Sequence, residues 1–317
     1  AATTAAGASS AAAAPPETPL APPPVDAPPP ATWERRVIPA LDLEPVWPFV
    51  NPAMLYSRHL GLKGRFADAI ARGDTQALAL RDLVEELKGL WRRGELSGAA
   101  VWRAFAAESE GDTLRLYEGP AGAGARGGAS GAAAGAAPAP PVAAFTFPRQ
   151  RAGRRLCLAD FVRPASVAAA RGRDNVVLFA VTAGAGVREA AAAFKTRGEY
   201  LKSHAVQALA LETAEAIAEW LHAALRAEWG FPDDPALSMT DRFRAKYRGK
   251  RYSFGYPACP DLEDQRALFD LLHPQEIGLQ LTDGFMMEPE ASVSAVVFHH
   301  PEAVYFAVGA QEDGAGE

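Results

Sequence analysis

The sequence predicts an α+β fold: a curved single domain with a mainly antiparallel twisted sheet flanked by long helices. Two pairs of short apolar runs are typical of β-hairpins, and two long segments have the apolar spacing of amphipathic helices. Strands and helices do not alternate regularly, which argues against a parallel α/β sheet. Segments rich in Ala, Pro and Gly are expected to be disordered.

Composition narrows the functional classes. The chain has 317 residues, 49% of them hydrophobic and 22% charged, with a formal net charge of -6. Nucleic-acid-binding proteins usually carry net positive charge, so no nucleic-acid partner is expected. No apolar run is long enough to cross a bilayer, so no membrane partner is expected either. The two cysteines cannot form a disulfide framework, and we expect a cytoplasmic protein.

The N-terminal region differs from the rest of the chain. Residues 1–31 are rich in Ala and Pro, carry few charges and begin with Ala1. They lack the basic and apolar regions of a secretory signal, and their prolines favour extended geometry. We expect a disordered linker cut from a longer polypeptide, followed by one domain over 32–317. Residues 119–144, rich in Gly, Ala and Pro, are expected to be a low-complexity loop insertion in that domain.

The first half of the ordered domain is expected to contain one helix and one hairpin. Three prolines keep residues 37–50 extended. Apolar residues at helical spacing follow Asp74, and Gly94 is expected to end this helix. Residues 99–106 and 113–117 flank an acidic turn and predict a β-hairpin.

The second half is expected to contain a buried strand, a long helix and another hairpin. Residues 175–182 form an apolar run typical of a strand buried on both faces. The glycine-containing turn after it is not a dinucleotide-binding fingerprint, because Glu189 replaces the third glycine. A long helix is expected over 204–228, and residues 292–299 and 305–308 predict a hairpin.

A polar stripe follows one side of the long helix. By itself such a stripe is expected to be a solvated face. Its members are Glu212, Glu215, Glu219, His222 and Arg226.

The segment 248–260 stands apart from the rest of the sequence. Two glycines and two prolines specify a rigid, irregular backbone, and binding sites are often built on such loops. An arginine offers a planar fork suited to a carboxylate, and Tyr256 offers an apolar face and a hydroxyl. The residues alone predict an anion or amino-acid pocket, and they leave open a rigid loop with a solvated arginine.

The same segment carries a family resemblance. The sequence GYPACP at 255–260, with Arg251 four residues before it, is similar to a motif of the activation domain of cobalamin-dependent methionine synthase. The resemblance covers about 37–308 and leaves out 1–31 and 119–144. Further matching segments occur in family order: CLADF at 157–161, FAVTAG at 179–184, EAIAEWLH at 215–222, ASVS at 291–294, and HP at 300–301 followed by Tyr305.

The resemblance implies a function for the chain. Such a domain binds S-adenosylmethionine in a shallow groove and supports the reductive methylation of cob(II)alamin to methylcobalamin, with the cobalamin held by a neighbouring module. The electron comes from a flavodoxin-like or diflavin reductase. The chain would be a module of a methyltransferase in methionine biosynthesis, incomplete by itself. No catalytic residue and no metal ligand is expected in it, because the cofactor carries the chemistry.

The resemblance also implies roles for single residues. Arg251 would hold the methionine carboxylate, and backbone groups around Ser253 and Gly255 would line the ligand. Glu215 would lie near the sulfonium, and Tyr305 would contact the ligand. The residues facing the cobalamin ring would be Tyr256, Pro257 and Ala258.

Three positions depart from the family pattern. Pro45 stands where an acidic residue often occurs, with Asp42 and Glu44 as candidate substitutes, and Ala245 replaces a second carboxylate. Tyr252 stands where proline is usual. Two alternatives therefore stay open: a module that kept the fold but lost ligand binding, and a stand-alone reactivation protein for another corrinoid partner.

Three further features have ordinary explanations. The basic residues within 242–251 predict a solvated face. Part of this run, excluding Arg251, is a candidate docking surface for an acidic, flavodoxin-like reductase, to be tested by charge reversal at Lys246 and Arg248. Cys259 is expected to be a small buried residue rather than a catalytic thiol. Three histidines near the C-terminus lack the spacing of metal ligands: His273, His299 and His300.

Overall fold

A seven-stranded antiparallel sheet forms the centre of the computed structural model, which describes residues 21–119 and 139–308. The strands are β1 Arg36–Ile38, β2 Ser97–Glu110, β3 Thr113–Tyr117, β4 Ala143–Thr146, β5 Asp174–Ala185, β6 Lys250–Tyr252, β7 Gln280–Leu281, β8 Met287–Glu288 and β9 Ser292–Phe298. Their order in the sheet is β4-β3-β2-β5-β9-β6, and β1 also pairs with β2. A separate pair, β7 and β8, forms a small hairpin.

Helices cover both faces of the sheet. The α-helices are α1 Phe66–Ala71, α2 Thr75–Arg92, α3 Ala165–Arg171, α4 Val187–Thr196, α5 Tyr200–Glu228, α6 Met239–Phe243 and α7 Gln265–Leu272. Shorter turns are the 3-10 helices Trp47–Phe49, Leu158–Phe161 and Pro274–Ile277 and the π-helical turn Ala53–His59. Among the described helices, none combines the length and apolar character needed to span a bilayer.

The central strand β5 separates two hydrophobic cores. Phe179 and Val181 pack into the core that contains α2, α4 and α5. Leu178 and Ala180 point to the other face, where α7 packs. Adjacent residues of a strand face opposite sides of a sheet, and here both sides are covered. The prediction of a strand buried on both faces is confirmed.

Several other predicted elements are confirmed with shifted ends. Helix α2 begins after Asp74, whose carboxylate accepts a hydrogen bond from the Ala77 amide at 2.9 Å. Strands β2 and β3 form the first predicted hairpin. Helix α5 begins four residues earlier than expected, at Tyr200. In the stretch expected to be extended, β1 is followed by a 3-10 turn that contains Pro48, and the π-helical turn after it was not predicted.

The prediction of a second hairpin is wrong. Strand β9 forms as expected, but residues 303–308 have no strand structure. Both edges of β9 are already occupied, by β5 on one side and β6 on the other. The apolar residues after 304 pack instead on the face of the sheet, where the rings of Tyr305 and Phe306 contact Tyr252.

The boundaries of the low-complexity segments differ from expectation. Residues 1–20 and 120–138 lie outside the described residues, but residues 21–31 lie against the domain without forming helix or strand. Arg163 Nη2 donates to the Val25 carbonyl at 2.9 Å, and Asn175 Nδ2 donates to the Pro28 carbonyl at 2.7 Å. Extended proline-rich backbone has no internal hydrogen bonds, so its carbonyls are free to accept such contacts. Strand β4 begins at Ala143, inside the predicted insertion.

Candidate functional site

An open cleft of about 430 Å³ lies where α5, the segment after α6, the start of β9 and the π-helical turn meet. Four of the eight predicted site residues line it: Glu215, Arg251, Tyr256 and Tyr305. The other four, Ser253, Gly255, Pro257 and Ala258, belong to the turn that carries Tyr256.

Backbone hydrogen bonds between residues close in sequence hold that turn. The Gly255 amide donates to the Cys259 carbonyl at 2.9 Å, and the Cys259 amide donates to the Tyr256 carbonyl at 2.9 Å. Gly255 has a φ of 89°, a conformation that glycine adopts without strain. The rigid, irregular backbone expected here is present from 253 onward, whereas residues 250–252 form strand β6 on the sheet edge.

Within the turn, side chains divide between core and solvent. Tyr256 is 58% exposed, and Pro257 is also exposed. Ala258 and Cys259 are buried in the second core. Burial raises the pKa of the Cys259 thiol to about 12, and its Sγ lies 2.9 Å from the Ser253 carbonyl oxygen. Cys259 therefore packs as a small buried residue, as expected.

Arg251 meets two carboxylates of α5. Its Nη1 donates to Glu219 Oε2 at 2.5 Å, and its Nη2 lies 3.8 Å from Glu215 Oε2. The Arg251 side chain is 15% exposed and that of Glu219 is 8% exposed, whereas that of Glu215 is 49% exposed. Burial disfavours the charged guanidinium, but the nearby acidic groups, Glu219 first, outweigh this and raise the pKa of Arg251.

Glu219 belongs to a larger buried network. Its Oε2 also accepts from the Tyr247 hydroxyl at 2.9 Å, and its Oε1 lies 3.5 Å from Arg226 Nη2. Arg226 is fully buried and binds Asp233 with two hydrogen bonds, of 2.5 and 2.6 Å. Arg242 pairs with the same Asp233 carboxylate.

The prediction of a solvated polar stripe on α5 is wrong for four of its five members. Only Glu215 is exposed; Glu212, Glu219, His222 and Arg226 are buried. The buried charges of the stripe pair with other parts of the chain rather than with water. Arg226 pairs with Asp233, and Glu219 pairs with Arg251. Glu212 pairs with His59. Helical spacing shows which residues share a face, but it does not show what covers that face.

His222 is the neutral member of this stripe. It is fully buried, and neither ring nitrogen has a hydrogen-bond partner among the residues that the structure describes. Burial, followed by the charges of Arg226, Arg251 and Lys250, lowers the pKa of His222 well below its usual value. Its ring makes an edge-to-face contact with Tyr247 at 5.3 Å between centroids.

Comparison with known proteins identifies the family. The family model for the vitamin B12 dependent methionine synthase activation domain matches residues 42–314. The chain belongs to this family. The resemblance inferred from the GYPACP motif is thereby confirmed.

Individual relatives agree with the family assignment. The activation domain is 33% identical over 296 residues to methionine synthase of Mycobacterium tuberculosis, covering 88% of this chain and 23% of that protein. It is 39% identical over 172 residues to methionine synthase of Mycobacterium leprae, covering 52% of this chain and 14% of that protein. The chain therefore spans less than a quarter of the length of these two relatives.

A solved structure confirms the fold. The crystal structure of the MetH reactivation domain bound to AdoHcy matches with a TM-score of 0.77 and 27% sequence identity. The match covers 90% of this chain and 84% of that chain.

The candidate substitutes for the missing acidic residue do not reach the cleft of this activation domain. Glu44 is bound by Arg92 Nε at 2.6 Å, and Asp42 accepts from the Glu44 amide. Both line a separate depression beside Trp47. Ala245 does line the cleft, and it brings no carboxylate there.

Other polar residues of the cleft were not predicted from the sequence. Glu212 and Asn51 both line it, and Glu212 pairs with His59 Nε2 at 3.0 Å. Burial raises the pKa of Glu212, although His59 acts in the opposite direction. Glu212 precedes Glu215 by one turn of α5, and this spacing was the available signal; Asn51 gave none. Tyr247 was missed as well, and it also lines the cleft.

The basic run is less solvated than predicted. Arg248 stacks on Phe231 at 4.1 Å and donates to the His299 carbonyl, and Lys250 is buried. Arg244 and Lys246 are exposed, and Lys246 pairs with Asp241 at 2.9 Å. A docking surface on this run is therefore restricted to its exposed members.

The described residues include no group of three or more His, Cys, Asp or Glu that could hold a metal ion. His299 bonds instead to Asp174 at 2.6 Å between Nε2 and Oδ1. His300 donates to the Pro23 carbonyl, and His273 ends α7 with a positive φ.

Proposed function

We propose that this chain binds S-adenosylmethionine in the cleft beside Arg251 and presents its methyl group to a cobalamin held by another module of methionine synthase. The observation that carries this proposal is the juxtaposition of a nearly buried guanidinium with the half-exposed carboxylate of Glu215 in an open cleft. The ligand named for the matched reactivation domain, AdoHcy, is S-adenosylmethionine without its transferable methyl group. It shares the α-amino and carboxylate groups and the nucleoside, and it has a neutral thioether in place of the sulfonium.

The charges of the cleft suit such a ligand. Arg251 offers Nη2 to a carboxylate, since its Nη1 is already bound to Glu219. Among the described ion pairs of Glu215, the nearest cation is Arg251 Nη2, at 3.8 Å. A sulfonium placed near the Glu215 carboxylate therefore gains a favourable electrostatic interaction. A zwitterionic amino acid that also carries a positive sulfur fits this arrangement.

The open side of the cleft suits a second large body. Tyr256 and Tyr305 are 58% and 55% exposed, and Pro257 is exposed next to Tyr256. These flat apolar surfaces match the face of a corrin ring. Cobalamin supplies the nucleophile that accepts the methyl group, while this chain binds and orients the donor.

Calorimetric titration of the 317-residue chain with S-adenosylmethionine tests the proposal. Binding by the wild type and a loss of about 10- to 100-fold in affinity for Arg251→Gln are expected, since a charge-assisted hydrogen bond contributes about 1.5–3 kcal/mol. Lys246→Gln, an exposed cation of the same segment, serves as the control and should bind normally. An absence of wild-type binding would support a module that kept only the fold.

We further propose that the exposed cations Arg244 and Lys246 attract an acidic, flavodoxin-like or diflavin reductase. Charge reversal is better tested at Arg244 than at Arg248, because Arg248 is part-buried and stacks on Phe231, so reversing its charge disturbs packing. The two free, buried cysteines support a reducing, cytoplasmic setting for such a partner.

The reductase proposal is tested in the intact enzyme. Arg244→Glu combined with Lys246→Glu should slow reductive activation and weaken its dependence on ionic strength. Lys63→Glu combined with Arg72→Glu, at exposed cations on either side of α1, is the charge-matched control. Equal rates in the double variant and the control would rule out docking at this site.

A further inference from the structure

We propose that Glu219 is the positioning residue for the carboxylate-binding Arg251, holding its guanidinium in the one orientation that presents Nη2 to the ligand. This inference rests on the proposed function and goes beyond it, because it assigns a role to a residue that need not touch the ligand's carboxylate itself.

The contacts of Glu219 fit this role. Its Oε2 accepts hydrogen bonds from Arg251 Nη1, at 2.5 Å, and from the Tyr247 hydroxyl, at 2.9 Å. Its Oε1 lies 3.5 Å from Nη2 of the fully buried Arg226. The Glu219 carboxylate thus lies between the fully buried Arg226 and the Arg251 guanidinium that it orients.

Arg226 is itself fixed, so the network has a firm base. Two hydrogen bonds tie it to Asp233, and its guanidinium lies 3.7 Å from the centroid of the Tyr247 ring. Tyr247 also contacts the buried ring of His222. Because these groups are packed against one another, Glu219 has little freedom to follow Arg251 if the arginine moves.

A second acceptor explains why positioning is needed. Glu215 Oε2 lies 3.8 Å from Arg251 Nη2, and both residues line the cleft. Without Glu219, Arg251 has Glu215 as its remaining carboxylate partner, and a direct pair between them would cover the donors that the ligand carboxylate requires. An arginine side chain carries about 2 kcal/mol of rotamer entropy, so losing its anchor also widens its range of orientations.

The test uses two ligands that differ only in the group that Arg251 binds. S-adenosylmethionine carries the carboxylate, and its decarboxylated form lacks it but keeps the sulfonium and the nucleoside. Calorimetry on the full chain should show that Glu219→Gln lowers the affinity for S-adenosylmethionine by about tenfold or more. The affinity for the decarboxylated ligand should change by less than about threefold. A general structural defect weakens both ligands to the same extent.

The double variant sharpens the test. If Glu219 acts through Arg251, Arg251→Gln combined with Glu219→Gln binds S-adenosylmethionine no more weakly than Arg251→Gln alone. Additive losses would overturn the inference, and so would equal losses for the two ligands.

Tyr247→Phe provides a milder variant in case Glu219→Gln does not fold. It removes one of the two donors on Glu219 Oε2 and should weaken only the carboxylate-bearing ligand, by about two- to fivefold. If Tyr247→Phe changes neither ligand or both alike, the inference fails. Failure of the wild type to bind S-adenosylmethionine is a separate outcome that refutes the proposed function instead.

Discussion

Lys250 places an ammonium group inside the edge of the sheet. Its Nζ donates to the Tyr247 carbonyl at 2.7 Å and to the Gly249 carbonyl at 2.9 Å, and the residue is 8% exposed. Burial, followed by repulsion from Arg226, lowers the pKa of Lys250 from 10.5 to about 8. The charge is retained at neutral pH at a cost to folding, because burial disfavours the charged form of an amine.

This cost predicts a pH dependence of stability. Below pH 8 both the folded and the unfolded chain hold the Lys250 proton, and the penalty is fully present. Between about pH 8 and 10.5 the unfolded chain binds more protons, so the contribution of Lys250 to the free energy of unfolding rises with pH. The free energy of unfolding of the wild type, measured relative to that of Lys250→Met, should rise by about 2–3 kcal/mol across this window.

Urea denaturation of both proteins at pH 7.5 and at pH 10 measures this difference. Subtracting the variant removes the contribution of tyrosines, such as Tyr247, whose pKa burial raises. Parallel stability profiles for the two proteins would contradict the predicted titration of Lys250.

At the residue scale, four of the predicted ligand-binding residues lie together, and their roles stay predictions. A specific motif and the family order of matching segments identified four residues that line one cleft: Glu215, Arg251, Tyr256 and Tyr305. Glu219 and Tyr247 could not be assigned from spacing, since their importance arises from contacts between α5 and a segment 28 residues further along the chain. Their buried state depends on charge pairs that form only in the folded protein.

The strand that carries Arg251 lies close to its neighbour at Gly249. This glycine has a φ of 74°, and a Cβ added there would lie 2.6 Å from the Phe298 carbonyl oxygen. That oxygen belongs to β9, whose Phe298 is paired with Lys250 of β6. Only glycine therefore permits β6 to approach β9 at this point.

Gly249→Ala should destabilise the protein by about 3 kcal/mol or more, since a positive φ alone costs a residue with a side chain about 1–2 kcal/mol and the clash adds to it. Gly278→Ala is the matched control, with a φ of 82° and no heavy atom within 4 Å of the added Cβ. Thermal and denaturant unfolding of the two variants should show the larger loss for Gly249→Ala. Equal losses would show that the contact with Phe298 relaxes freely.

At the element scale, predictions succeeded where a local pattern determined the structure. Helix α2 has its cap at Asp74, and β5 is apolar throughout its length. The hairpin after β9 failed because strand formation also needs a free edge, and β5 and β6 occupy both. Edge availability is a property of the whole sheet and is not visible in the alternation of one segment.

At the scale of the whole molecule, residues 21–31 join distant parts of the fold. They supply the carbonyl acceptors for Arg163, Asn175 and His300, which belong to three separate parts of the chain. Asn175 in turn accepts from Trp229 Nε1, at the end of α5. Composition could not reveal this packing, because an Ala- and Pro-rich sequence has the same appearance whether it is bound or free.

Two truncated chains test this role. A chain that starts at residue 32 should be less stable than one that starts at residue 21 by about 2–4 kcal/mol, since three buried or part-buried donors lose their acceptors at about 1 kcal/mol or more each. Urea unfolding of the two chains gives the comparison directly. Equal midpoints and equal slopes would show that water replaces these acceptors without cost.

The exposure of Tyr256 and Tyr305 also has a kinetic consequence. A ligand in a cleft with an open side leaves without waiting for a loop or helix to move, so its residence time depends on direct contacts alone. Under the proposed function, occupancy then follows the surrounding concentration of methyl donor from moment to moment. The chain would sample the donor supply continuously rather than store a molecule of it between turnovers.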